Sequence, residues 1–119
     1  MKLKIAVLPG DGIGPEVTNQ SVKVLNCIAD KYNHNIELSE GRVGAIAIDE
    51  YNNPYPDITH KLCMGSDAIL FGAIGDPKYD NDPKAKVRPE QGLLKMRKKL
   101  GLFANLRPTI IFESLLEMS

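Results

Sequence analysis

The chain has 119 residues, 43% hydrophobic and 25% charged, the balance of an ordinary folded domain, so intrinsic disorder and a second complete domain are both excluded. Fifteen basic residues offset fifteen acidic ones, leaving no net field to draw the chain onto nucleic acid or an anionic membrane. No apolar run reaches the ~18 residues of a membrane span, and the N-terminus lacks a cleavage-site pattern. Cys27 and Cys63 stand apart without CxxC spacing, so the chain reads as cytoplasmic, with two reduced and buried thiols.

In chain order, the β-branched run Lys4–Leu8 enters the tight loop Pro9-Gly10-Asp11-Gly12-Ile13-Gly14 and predicts a strand. A helix follows from Pro15 to about Lys31: Pro15 suits its first position, Glu16 its positive end, and Val17, Ser21, Val24, Leu25 and Ile28 recur at helical spacing on an inward stripe. Residues 36–43 alternate as a second strand, 43–51 have a short helical look, and Asp57 is placed to cap a helix over 58–65 with Ile58, Leu62 and Cys63 inward. Residues 67–74 are apolar throughout, as in a parallel strand covered on both faces. A polar, proline-punctuated loop spans 75–89, and residues 90–100 form a helix closed by Gly101. Leu102–Leu106 reads as a strand ended by Arg107-Pro108, and residues 110–119 open a new apolar pattern. Alternation of strand and helix predicts a doubly wound parallel α/β sheet.

The glycine loop resembles a phosphate cradle, but its spacing is GxGxG followed at once by Pro15, which removes a donor. The dinucleotide fingerprint is GxGxxG with an acidic residue ~20 positions on. A tight turn that still touches a ligand is the favoured reading. Asp76, Asp80 and Asp82 lack the glycine and terminal glutamate of a calcium loop and read as solvated. His60 and Cys63 lie one helical turn apart, too few ligands for a metal, and His34 reads as exposed. Neither GxSxG nor GxxxxGKS/T occurs.

At roughly 100° per residue, Glu90, Leu93, Leu94 and Arg97 share one helix face. Glu90 and Arg97 are ~10 Å apart along the axis, beyond an i,i+4 pair, so each needs another partner. One reading is a pocket wall, with leucines for an aliphatic group and a guanidinium to grip a carboxylate; the other is an amphipathic helix whose charged ends reach water. Spacing alone favours the second. Arginine scarcity favours the first: of four arginines against eleven lysines, three (Arg88, Arg97, Arg107) fall in the last third of the chain. Arg107 ends its apolar run where strand ends border ligand crevices.

Four segments in this order, LPGDGIGPEV (8–17), FGAIG (71–75), RPEQGLLKMR (88–97) and LFANLRP (102–108), resemble the isocitrate/isopropylmalate family of β-decarboxylating dehydrogenases. The likeness runs from Lys4 to the end. It implies an incomplete, N-terminal part of that family's doubly wound fold, which is not Rossmann: the first α/β domain in part, with the start of the second. It implies oxidation of a 2-hydroxy acid by hydride transfer to NAD, then decarboxylation assisted by Mg²⁺ or Mn²⁺ as a Lewis acid. Arg97 and Arg107 would bind substrate carboxylates and Leu93 an isopropyl group. Glu90 would lie near the nicotinamide, Ile13 near the adenine side, and the loop with Asp76, Pro77, Lys78, Tyr79, Arg88 and Pro89 would line the cofactor.

An aliphatic Leu93, where isocitrate-specific relatives tend to carry hydroxyl or amide groups, favours isopropylmalate by roughly 1–3 kcal/mol. Isocitrate, homoisocitrate or tartrate-type relatives, or a non-catalytic dicarboxylate-binding α/β module, are the alternatives. Complete members are several hundred residues long, and their later part supplies the catalytic Tyr and Lys, a further substrate Arg, the metal aspartates and the adenine segment. The resemblance therefore implies a fragment with no catalytic residue or metal ligand of its own, inactive alone, from a parent that is a homodimer.

Overall fold

In a computed structural model of the chain, which describes residues 1–118, the first apolar run becomes β1 (Lys2–Gly10). It lies between two parallel neighbours, β2 (Asn35–Glu40) and β3 (Ala68–Ala73), in the order β2-β1-β3, with Ile5 opposite Leu38 on one side and Ala68 on the other. Ile5, Ala6, Val7 and Leu8 are buried in succession because elements cover both faces of the central strand.

The connection from β1 to β2 is α1 (Gly14–Tyr32), with Pro15 in its first turn and Asn33 closing it at φ 56°, its N–H donating to the Ala29 carbonyl. Its inward face differs from the one its spacing predicts. Gly14 and Thr18 are buried and Ser21, Val22, Leu25 and Ala29 half-buried, whereas Val17, Val24 and Ile28 are 52%, 63% and 42% exposed. Close approach explains the rotation: α1 rests on β3 so tightly that a Cβ at Gly72 would lie 2.6 Å from the Thr18 Oγ1. Small residues thus face the sheet and the large ones turn outward. Cys27 is likewise exposed, and only Cys63 is a buried thiol.

Between β2 and β3 the chain makes α2 (Ala45–Tyr51) and α3 (Asp57–Met64). Pro56 is the N-cap of α3, so Asp57 is its first helical residue and supplies no capping bond; its carboxylate instead meets Lys99 Nζ at 3.3 Å. Ile58 points outward at 63% exposure, while Thr59 and Cys63 are buried and Leu62 is half-buried. The core joins Ala6, Leu8, Val43, Tyr55, Cys63 and Met96, and burying a side chain such as Leu8 contributes roughly 1.5–3 kcal/mol. The Tyr55 hydroxyl and His60 Nδ1 share a hydrogen bond of 3.1 Å, and burial pushes both the Tyr55 hydroxyl and the Cys63 thiol up, keeping them uncharged. His34 is half-buried rather than exposed, 3.4 Å from the N-terminal amine.

The segment after β3 carries a short helix, α4 (Pro77–Asp80), capped by Asp76, and α5 (Pro89–Lys99) follows. Leu102–Leu106, predicted as a strand, is exposed and unpaired with the sheet, and beyond it a 3-10 turn covers Glu113–Met118. Its β propensity is not met by pairing: the segment stays apart from the sheet although β3 has no second partner among the described residues. Ser119 lies outside the described residues.

Large apolar side chains therefore face water along α1 and from Leu102 to Met118, with Phe103 fully exposed. Residues 1–119 expressed alone are expected to bind a hydrophobic dye and to lack a sharp thermal transition. A soluble monomer that melts in one cooperative step would contradict this.

Candidate functional site

The chain leaves β1 toward β2 and then crosses to the opposite edge for β3, so its topological switch lies between the carboxyl ends of β1 and β3, where doubly wound sheets place ligands. Asp11 stands there, 7% exposed. Its Oδ2 accepts from the Ala45 N–H at 2.7 Å and the Gly75 N–H at 3.2 Å, and its Oδ1 from the Ile46 N–H at 3.0 Å. Its own N–H donates to the Ala73 carbonyl at 2.8 Å. One carboxylate thus ties the β1 exit, the start of α2 and the β3 exit together. Gly44, at φ 82°, is required beside it, because a Cβ there would collide with Asp11 Oδ2. The N–H groups that α2 and the β3 exit present at the switch point are thus taken by a side chain of the glycine loop.

Bare backbone lies next to this knot. A Cβ at Gly12 would come within 3.8 Å of the Gly75 carbonyl, and one at Gly75, whose φ is 135°, within 3.5 Å of Glu90 Oε1. Ile13, the N-cap residue of α1, follows Gly12 and is 59% exposed, and Glu90 in the first turn of α5 is exposed. The structure thus brings the glycine loop, the exit of β3 and the start of α5 to one place, from sequence positions up to 78 apart by number (90 − 12).

The loop that follows is held by side chains. Asp76 Oδ1 accepts from the Lys78 N–H at 3.0 Å, and Pro77 opens α4. Lys78 Nζ reaches both oxygens of Asp49 on α2, at 2.7 and 2.9 Å, and the Tyr79 hydroxyl donates to Asp49 Oδ1 at 2.7 Å. Arg88 Nη1 donates to the Tyr79 carbonyl at 2.8 Å, and Pro89 is fully buried. Gln91 Oε1 takes the Arg88 N–H at 3.1 Å, capping α5.

On α5 the buried face is Pro89, Gly92 and Met96, with Gly92 pressed against the Pro54 carbonyl. Leu93 is half-buried against the core, Leu94 is 63% exposed, and Arg97 is exposed. Arg97 borders a cavity of about 280 Å³ with Leu102, Phe103, Ala104, Asn105 and Leu106. Arg107 is not among these lining residues; its Nε donates to Asn105 Oδ1 at 3.4 Å. Asp11, Asp49 and Asn105 were not candidates from the sequence. Partners of the first two are supplied by segments 29 to 64 residues away, and no local spacing marks them.

The fold is that of a doubly wound parallel α/β chain with a crevice at its switch point, and residues 4–119 match the isocitrate/isopropylmalate dehydrogenase family: the chain belongs to it. Over all 119 residues it is 55% identical to the 3-isopropylmalate dehydrogenase of Bacteroides fragilis, covering 34% of that protein, and 53% identical to that of Bacillus subtilis, covering 32%. Among solved structures it is similar to a β-decarboxylating dehydrogenase from Thermococcus kodakarensis (TM-score 0.64, 31% identity, 85% of this chain and 27% of that one). The chain spans about a third of the length of the curated relatives it matches.

Removing the Asp11 carboxylate leaves one buried and two partly buried N–H groups without that acceptor, so Asp11→Ala is expected to cost about 2–4 kcal/mol, read as the shift in a denaturant titration of the gene product with its downstream sequence. A shift under about 0.5 kcal/mol would show the knot to be dispensable.

The Asp49 cluster has a defined pH window. Hydrogen bonds from Lys78 and then Tyr79 hold the Asp49 carboxyl below its usual value, and Asp49 in turn holds Lys78 and Tyr79 above theirs. A depressed carboxyl contributes above its unfolded value and is lost as pH falls through the folded one; raised groups contribute below theirs and are lost as pH rises. Ring resonances of Tyr79 should therefore stay constant from about pH 4 to about pH 10 and move outside that range.

Proposed function

We propose that residues 1–119 form the N-terminal third of an NAD-dependent 3-isopropylmalate dehydrogenase, which oxidises 3-isopropylmalate and releases carbon dioxide to give the 2-oxo acid of leucine biosynthesis. The carrying observation is identity of 53–55% over the whole chain to relatives of that name. The convergence of Gly12, Ile13, Gly75 and Glu90 beside the switch point supports it. In this reading the chain is the first α/β domain in part, with the start of the second, of a cytoplasmic homodimer.

NAD, when bound, accepts the hydride taken from the carbinol carbon. The residues present fit it: two bare glycine backbones leave room for a ring or ribose edge, Ile13 offers an apolar contact, and the Glu90 carboxylate accepts hydrogen bonds from hydroxyl or amide donors. Asp76, Pro77, Lys78, Tyr79, Arg88 and Pro89 form the wall that follows. Mg²⁺ or Mn²⁺ would, in this reading, be held by residues outside 1–119, since among the described residues no three His, Cys, Asp or Glu side chains come together. This portion orients the substrate. Arg97 and Arg107 would each grip a carboxylate, fixing the carbinol against the cofactor wall, and Leu93 would receive the isopropyl group. Asn105 accepts from Arg107 and borders the cavity beside Arg97, which places it on the same stretch of the proposed substrate side.

The gene product with any downstream sequence should form NADH from 3-isopropylmalate and not from isocitrate. Arg97→Ala should lower kcat/KM roughly 10- to 100-fold, the range for one charged hydrogen-bonding group. Residues 1–119 alone should form none. NADH formation by this polypeptide in isolation, or a preference for isocitrate, would overturn the proposal.

A further inference from the structure

Side chains that line a cofactor wall can either grip the cofactor or hold the wall. For Lys78 and Tyr79 the geometry separates these roles. Both polar ends meet one carboxylate, Asp49, through three contacts of 2.7–2.9 Å. Asp49 follows Ala45 by four positions, about one turn along α2. At its first turn the Ala45 backbone N–H meets the Asp11 carboxylate, which also holds Gly75, and one turn on the Asp49 side chain meets Lys78 and Tyr79. Two points of the loop are thereby referred to a single short helix. The neighbouring Glu50 faces elsewhere, 3.6 Å from Arg42 Nε. From Tyr79 the connection continues: its carbonyl accepts from Arg88, the N-cap residue of α5, and Glu90 lies two residues further on.

We infer that Asp49 is a positioning residue for the cofactor wall: it engages Lys78 and Tyr79 to set the height of the 75–88 loop and, through Arg88, the place of Glu90. Lys78 and Tyr79 then hold the loop rather than bind the cofactor by their side chains. An isolated exposed ion pair is weak, but a two-oxygen contact to lysine joined by a tyrosine hydroxyl on the same carboxylate is a network, which is the case where surface charges contribute. This inference rests on the functional reading above for the identity of the ligand and on the hydrogen bonds alone for the clamp.

The test uses the gene product with its downstream sequence. Asp49→Asn should speed amide exchange in residues 76–81 severalfold without cofactor, leaving β1–β3 unchanged, and should raise KM for NAD roughly threefold to tenfold with kcat within about twofold. Tyr79→Phe should act the same way, and Lys78→Met added to Asp49→Asn should have little further effect, because both remove one contact. Full additivity of Lys78→Met would mean that its ammonium grips the cofactor and would overturn the inference, as would unchanged exchange in Asp49→Asn. If the unmutated protein shows no dehydrogenase activity, the functional reading and the cofactor half of the inference fail together, whereas unchanged exchange in an active enzyme defeats the clamp alone.

Discussion

Everything near the crevice depends on a carboxylate buried among backbone N–H groups. Removing a charge from water is costly, and Asp11 offsets that cost with three charge-assisted hydrogen bonds, two of them from the first turn of α2. Its donors come from segments 34 and 64 residues away, so the bonds form only when β1, α2 and β3 are all in register. The parallel pairing of β1 with β3 places Gly75; the left-handed Gly44 places Ala45 and Ile46. A side chain that locks three connections at the switch point gives the surrounding loops a fixed origin.

That origin also decides where a ligand can lie. In a glycine loop followed by a helix, free N–H groups would draw an anion. Here an internal anion already satisfies the neighbouring donors, so the accessible backbone is displaced to Gly12 and Gly75, bordered by an isoleucine and a glutamate. The same loop of three alternate glycines that departs from the GxGxxG spacing carries this aspartate, whose donors come from α2 and the β3 exit.

Local signals carried most of the fold. Runs of β-branched residues, Pro15 at the start of α1, Gly101 after α5, and continuous apolarity in 67–74 placed the strands and the two longer helices to within a few residues. Two things were not legible. Helical period shows that a stripe exists but not how the helix is rolled: in α1 the approach to Gly72 decides it, and in α5 the contact of Gly92 with Pro54 does. Strand propensity shows a preference for extension but not a partner, which is why Leu102–Leu106 is extended yet outside the sheet. The site divides the same way. Glu90 and Arg97 became candidates through arginine scarcity and the family resemblance, since spacing alone favoured a solvated face, whereas Asp11 and Asp49 work through distant partners that spacing cannot reveal.

The two candidate substrate arginines differ in how firmly they are held. Arg97 stands on a helix docked to the core through Gly92 and Met96, so its origin is fixed by packing. Arg107 stands on an extended segment whose flanking Phe103, Leu106 and Ile110 are all largely exposed, and its contact within that segment, to Asn105, is short-range. A guanidinium grips a carboxylate bidentately only when its own base is immobile. In the proposed enzyme, covering those apolar side chains and setting the second carboxylate grip are therefore the same event: whatever buries Phe103 and Leu106 also fixes the distance from Arg107 to Arg97.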